Sequence, residues 1–526
     1  MCSLKPYLIV QSFWYDQTDI GDFYYRIGQP GSTLSRHRAF SVRNLHVYHP
    51  EFARWSLEAD LLIIHVGTDF EITPIITERR ARGLPTIFEM PDNLLHLGTW
   101  IEENNPFRSP DHRRNLFYHA SLCDALQFST HELAKTFGFL NPNHVVFENQ
   151  VTILGAVRPR GKPLMIGWGG SQGHEHDLAG VGPALTRFFA ERSDVVFAFM
   201  GHQPIYDRHF CQIPENRRRY TPPGSIEDYQ NFVRSLDIGL APLSDTEFNR
   251  CRSDGKFMEY ASFGVAPLLS NAAAYRATVR DGETAMLFAS NEELIQKLGQ
   301  LCDDPGLLEH LKQGAYDYVC AHRTTEVDLE RRAQYYLNLL PKESRGLSVP
   351  EINQTGTFIP SIRKSFACLN EGRTAEAESL ALQMLTQEPK FRFGQHIYTQ
   401  ALLAQERYQE LLEGFDQLRK DPIYGDMFAI TLLGAAREVD PSRVPQILDE
   451  MKSEVHRLLN LDEDAIEAET RFRKVLEINP YHYQAMVELG TILATRPETF
   501  EEAQSLMTRI MAMHPESQAY LTEEES

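Results

Sequence analysis

No run of the ~20 apolar residues that a membrane span needs occurs in the 526-residue chain. Basic residues are scarce relative to acids: 52 Lys and Arg against 72 Asp and Glu leave a net charge of −20. That balance argues against nonspecific binding to nucleic acid or to an anionic membrane. Cysteine is sparse too. The seven, at positions 2, 123, 211, 251, 302, 320 and 368, form no CxxC pair and no metal-ligand spacing. An odd, scattered set suits a reducing compartment. The N-terminal MCSLKPYLIVQSF enters a strand almost at once and lacks a signal-peptide shape. The expected location is the cytoplasm, at most peripheral to the inner face of a membrane. The length exceeds one core and suffices for roughly three domains.

The first part alternates strand and helix signals. Short apolar runs at 7–11, 59–65, 85–89, 125–129 and 145–147 read as strands, with a helix over 74–82 ended by Gly83. A Pro-, Gly- and charge-rich stretch at 157–163 reads as a linker. A second alternating set follows, with strands at 164–168, 195–200, 236–241, 267–270 and 285–288. Alternation of this kind predicts an α/β fold with two doubly wound, Rossmann-like parallel sheets and a cleft between them. The chain is helical from 291 to about 340, and 341–360 reads as a connector. Beyond it no strand is predicted. Ala377 and Pro389, Ala468 and Pro480, and Ala503 and Pro515 are each 12 residues apart, and the last two prolines are 35 apart. That is near the tetratricopeptide period of about 34. The expected domains are therefore 1–160, 161–340, a linker at 341–360, and tetratricopeptide-like helical repeats over 361–526. An irregular helical domain is the plainer alternative.

Two stretches carry candidate chemistry. IGWGGSQGHEH (166–176) delivers a strand into a glycine loop containing Gly169, Gly170 and Ser171, with a helix near Asp177. Glycines let backbone N–H groups approach an anion, and the following helix N-terminus favours negative charge. RSDGKFMEYASFG (252–264) places Arg252, Ser253 and Asp254 ahead of a helix with Lys256 in its first turn and Glu259 one turn later. An ammonium there neutralises a diphosphate, and a carboxylate further along accepts hydrogen bonds from ribose hydroxyls. Alone, each is equally an ordinary turn and an ordinary capped helix.

Together these residues resemble the donor-binding region of retaining glycosyltransferases with the GT-B fold, of the GT4 type. Glu259, Ala261, Gly264, Val265 and Pro267 follow that family's pattern. So do Asn271, Tyr275, Asp281, Gly282 and Glu283 downstream. In the first half, YRIGQP (25–30), RARGLPTIFEMPDNL (80–94) and STHELAKTFGF (129–139) resemble its acceptor side. The resemblance spans about residues 5–340. It implies a nucleotide-diphosphate sugar as donor, a glycan, lipid-linked or protein acceptor, retention of configuration, and metal-independent transfer without a cofactor.

On this reading Lys256, Glu259, Asp92 and His65 are the expected catalytic residues. Gly169, Gly170, Ser171, His174, Arg252, Ser253, Asp254, Lys256 and Glu259 are the expected donor ligands. No metal site is expected; the DxD spelling Asp462–Asp464 lies in the helical tail. Gln11, His65, Asp69, Asp92 and Asn93 fall at predicted strand ends facing the cleft. Two positions depart from the family. Cys251 stands eight residues before Glu259, where a second acid is common, and His174 and His176 stand where a basic pair is common. The departures keep a second class open: a binding protein or scaffold that works through its repeats, which in either case offer a surface for a protein partner.

Overall fold

The computed structural model describes residues 5–69, 71–97, 105–347, 358–461 and 467–515. The first domain holds one parallel sheet of six strands: β1 (Tyr7–Phe13), β2 (Phe40–His46), β3 (Leu61–His65), β4 (Thr86–Met90), β5 (Ala125–Phe128) and β6 (His144–Val146), in the order β2-β1-β3-β4-β5-β6. The second holds another: β7 (Leu164–Gly169), β8 (Val195–Met200), β9 (Arg218–Thr221), β10 (Ile238–Ala241), β11 (Ala266–Ser270) and β12 (Met286–Phe288), ordered β12-β11-β10-β7-β8-β9. Central strands such as LLIIH and VVFAFM are buried on both faces, as parallel sheets require. The second sheet has the 3-2-1-4-5-6 order of a dinucleotide-binding fold. Its strand order reverses between β7 and β10, and ligands bind at the carboxyl ends of strands at such a point.

The sequence reading finds ten of these strands and misses β2 and β9. Both lie at sheet edges. FSVRNLH has only one apolar face and RRYT has almost none, so neither shows the continuous apolar run of a buried strand.

After β12 three helices follow, Asn291–Asp303, Pro305–His322 and Thr325–Leu339. The third leaves the second domain and returns to the first. Its Ala333 and Tyr336 join Ile9, Leu61, Ile63 and Phe147 in one core, and Tyr336 Oη donates to Gln127 at 2.6 Å.

From Ile359 onward the described residues are helices and turns. The helices Thr374–Gln387, Ala468–Ile478 and Phe500–Met513 each stop two residues before Pro389, Pro480 or Pro515. The residue before a proline is pushed away from helical dihedrals, which sets those ends. Ala377, Ala485 and Ala503 are buried where helices meet.

This helical region shares a core with the first domain. Phe393 packs edge-on against Tyr48 at 4.8 Å, and Tyr481 lies tilted against Phe117 at 5.4 Å. Arg363 binds Asp16 at 2.6 Å near its start. Buried Arg113 donates to the Met513 carbonyl at 3.1 Å near its end. The Asp462–Asp464 motif lies outside the described residues. No described helix is long and apolar enough to cross a membrane.

Candidate functional site

The site builds up from the two strands at the reversal point. After β7, Gly170 N–H binds the Met200 carbonyl at 3.0 Å, and a short turn leads into the helix Glu175–Glu191. After β10, a loop leads into the helix Gly255–Ser262. That helix sits tightly on its strand: a Cβ at Gly239 would lie 2.4 Å from the Tyr260 ring, and Tyr260 Oη donates to the Leu240 carbonyl at 2.7 Å. Gly264, at φ +63°, closes the helix in a conformation that favours glycine.

Lys256 and Glu259 come together on this helix, with Nζ to Oε2 at 3.1 Å. Tyr229, from the helix Ile226–Ser235, donates to the same oxygen at 2.6 Å, and Lys256 Nζ donates to Tyr229 Oη at 2.7 Å. Tyr229 also borders the glycine loop, since a Cβ at Gly169 would lie 3.0 Å from its ring. Tyr25 of the first domain donates to Glu259 Oε1 at 2.9 Å. Burial, then the Glu259 carboxylate, push both phenols well above their usual range, so they remain donors.

Arg252 faces His174, with Nη1 2.9 Å from Nε2, and rests over the Phe248 ring. Burial and the Arg252 guanidinium lower the His174 imidazole to about 4, so it is neutral at pH 7. Its Nδ1 meets Asp177 at 2.9 Å, and Asp177 also accepts from Ser244 N–H and Asn249. Burial works against the charge of Asp177, but the hydrogen bond from His174 and those other donors hold it below its usual value. Gly169, Gly170, Ser171, His174, Arg252, Lys256 and Glu259 thus lie on the two neighbouring loops and helix starts.

Two expected donor ligands, Asp254 and Ser253, make contacts away from the glycine loop. Asp254 is buried and holds Arg323 in a bidentate ion pair, with Arg323 Nη2 to Oδ1 at 2.8 Å. Arg323 also donates to the Asn149 carbonyl at 2.7 Å. Asp254 therefore ties the start of the helix Gly255–Ser262 to Arg323 and, through it, to Asn149. Ser253 Oγ accepts from Asn149 Nδ2 at 3.1 Å, a second contact to that residue. Cys251 does not leave a gap beside the helix. Its buried Sγ meets Asn93 at 3.6 Å and Thr136 at 3.8 Å, so the position joins the domains.

In the first domain, His65 ends β3 and Asp92 follows β4. His65 Nε2 lies 2.9 Å from Tyr15 Oη, and its Nδ1 lies 3.6 Å from Glu89. Glu89 is buried against Arg26 at 2.5 Å. Burial alone would raise the Glu89 carboxyl; Arg26 and then His65 bring it down to about 2. Val66, next to His65, has φ +50°. A β-branched residue in that region is strained, and such strain clusters at functional sites. Asp92 is pushed up to about 7 by burial and by Asp22, against the pull of Arg252 and Arg26.

The other strand-end residues do structural work. Gln11 binds the Ile27 carbonyl and Asn44. Asn93 spans to Cys251 and Glu247. Asp69 sits toward the helical region, near His112 and Arg363. Tyr229 is absent from the residues singled out in the sequence, and Tyr25, quoted there within YRIGQP, is not foreseen as a partner of Glu259. The π-helical turn Tyr24–Gly28 and the capping box at Ser225 and Asp228 mark their helices but not their contacts.

Residues 171–304, which include Lys256 and Glu259, match the family described as Glycosyl transferases group 1. The match covers part of the second domain and is a similarity over those residues. No curated protein matches the chain. The similar solved structures are distant. Anabaena HepE in complex with UDP and glucose is 11% identical, covers 63% of this chain and 100% of its own, and has a TM-score of 0.47. Sucrose-phosphate synthase from Thermosynechococcus elongatus is 10% identical, covers 63% and 99%, and has a TM-score of 0.46. The pneumococcal O-GlcNAc transferase GtfA in complex with UDP and GlcNAc is 15% identical, covers 55% and 59%, and scores 0.42.

Proposed function

We propose that this protein transfers a sugar from a nucleotide-diphosphate sugar, held by the second domain, to an acceptor held by the first. The observation that carries the reading is the pairing of Lys256 with Glu259 beside the glycine loop, at the strand-order reversal and inside the group 1 match. In the reaction the bond from the anomeric carbon to the diphosphate breaks, and the diphosphate leaves with its electron pair. The acceptor hydroxyl oxygen bonds that carbon and gives up its proton.

Lys256, Arg252 and the N–H groups around Gly169 and Ser171 meet the charge that develops on the diphosphate, where preorganised donors act most strongly. Glu259 accepts from the ribose. Asp92, with a carboxyl near 7, is the cleft group suited to take the acceptor proton at neutral pH. His65, fixed between Tyr15 and Glu89, orients the acceptor hydroxyl. Retention of configuration, independence of metal, and the glycan, lipid-linked or protein nature of the acceptor belong to the same proposal.

Incubation with UDP-, GDP- and ADP-sugars, with nucleotide release as readout, tests it. Lys256→Ala and Glu259→Ala should each cut release at least tenfold, as loss of a charge-assisted contact predicts. Unchanged release in both variants sinks the site. Cys251 in place of a carboxylate supports a second reading, a scaffold that binds partners through its helices. A nucleotide sugar that binds but never turns over would favour it.

A further inference from the structure

At the carboxyl ends of the first sheet, where a parallel sheet takes its ligands, His65 and Glu89 are each only 1% exposed. Tyr15, two residues beyond β1, is half-buried above them. Its Oη lies 2.9 Å from His65 Nε2 and 3.3 Å from Asp22 Oδ2. A phenol has one hydrogen, so it donates fully to one of the two. An O–H given to a carboxylate draws the oxygens to about 2.5–2.7 Å. The Asp22 contact, at 3.3 Å, is too long for that bond, whereas 2.9 Å is an ordinary hydrogen-bond length. The Tyr15 hydrogen therefore points inward, at Nε2.

The far side of the imidazole demands the same tautomer. His65 Nδ1 lies 3.6 Å from Glu89 Oε2, and Arg26 keeps that carboxylate charged from 2.5 Å. A lone pair on Nδ1 would face a negative charge at close range, so Nδ1 carries the hydrogen and Nε2 the lone pair. Both ring nitrogens are then turned to groups of the protein itself, and neither is left for a substrate. What remains is the oxygen of Tyr15. Its two partners among the described residues, Nε2 and the Asp22 carboxylate, both accept, so no donor meets its own lone pairs. Burial, then Asp22 and Asp92, push the phenol well above its usual range, and it keeps its hydrogen.

We infer that Tyr15 is the acceptor-binding residue of the first domain: its Oη takes a hydrogen bond from an acceptor hydroxyl, and His65 is the positioning residue that acts through it by turning the phenol hydrogen inward. This rests on the acceptor reading of the first domain. It adds a residue and a polarity. Tyr15 Oη and Asp22 offer lone pairs side by side, so the place selects a group that donates. An ether or carbonyl oxygen there finds no partner.

The test uses the full chain. Histidine-selective nitrogen-15 NMR without ligand, at about pH 8, reads the tautomer, and His65→Gln or His65→Asn identifies the His65 signals. Wild type should show the hydrogen on Nδ1. Tyr15→Phe keeps the ring, removes the bond to Nε2, and should move that resonance toward the position of an unbonded nitrogen. A hydrogen on Nε2 in wild type, or a spectrum unchanged in Tyr15→Phe, overturns the pairing.

Nucleotide release from UDP-, GDP- or ADP-glucose, with water as the acceptor, reads the role. Tyr15→Phe should lower kcat roughly 3- to 10-fold and leave the donor KM unchanged. His65→Gln should do the same, and the double variant should fall no further than the worse single one, because the two residues act in series. Losses that multiply in the double variant, or a raised donor KM with an unchanged kcat, overturn Tyr15 as the acceptor contact. Release from none of the three by wild type sinks the transfer reading itself, and the spectra still decide the Tyr15–His65 pair.

Discussion

Asp254→Asn separates two jobs that the same residue was open to. As a donor ligand, Asp254 would govern affinity for the sugar nucleotide. As the partner of Arg323, it governs folding. Arg323 and Asp254 have side-chain exposures of 3% and 7%, and the guanidinium grips both carboxylate oxygens. Removing one charge leaves the other buried and unpaired, which costs about 3–5 kcal/mol. Asn keeps one acceptor, and Arg323 still reaches the Asn149 carbonyl, so the expected loss is about 3 kcal/mol. With a urea slope of about 2 kcal/mol/M, the midpoint of the transition reporting the second domain falls by about 1.5 M. The pH dependence has a definite sign. Burial raises the Asp254 carboxyl, but Arg323 more than offsets it and holds it below its usual value. The pair therefore stabilises above the unfolded carboxylate range, and its contribution is lost as pH falls through the lower folded value. The gap between wild type and Asp254→Asn should be full at pH 7 and close below about pH 4. A variant with an unchanged midpoint and a tenfold higher KM for the donor would refute the assignment.

Asp92 sets a second pH test: the rate should rise with pH as its carboxyl ionises near 7, and Asp22→Asn, which removes a neighbouring like charge, should move that rise toward acid. A pH–rate profile insensitive to Asp22→Asn would count against Asp92 as the base. A chain ending at Pro341 strips the cover from Tyr48, Phe107, Phe117 and their neighbours in the core shared with the helical region. It should aggregate or melt well below the full chain, and a soluble truncation with an unchanged melting temperature would show that the helices are dispensable for folding.

Much of the architecture is legible in the sequence because it is written locally. Buried parallel strands are short apolar runs, and Lys256 and Glu259 are one helical turn apart, a spacing that any helix brings to one face. The pairings that finish the site are not local. Tyr25 lies 234 residues from Glu259, and Arg323 lies 69 from Asp254. Nothing in the neighbouring residues signals either. Asp254 reads as a phosphate-holding cap when only 252–264 are in view, and becomes a structural anchor once residue 323 folds back. Cys251 is similar: the missing carboxylate is conspicuous in the sequence, whereas the Asn93 and Thr136 contacts that occupy the thiol come from the other domain.

The return of the chain to its own beginning has a consequence for how the protein is made. The core around β1 and β3 is completed by Tyr336, and Arg113 is satisfied by the carbonyl of Met513, 400 residues later. During synthesis the first domain therefore emerges with its apolar surface unfinished and waits for nearly the whole chain. Such long-range closure slows folding and prolongs exposure to aggregation. The helix Phe500–Met513 is therefore part of the closure of the first domain and no appendage to it.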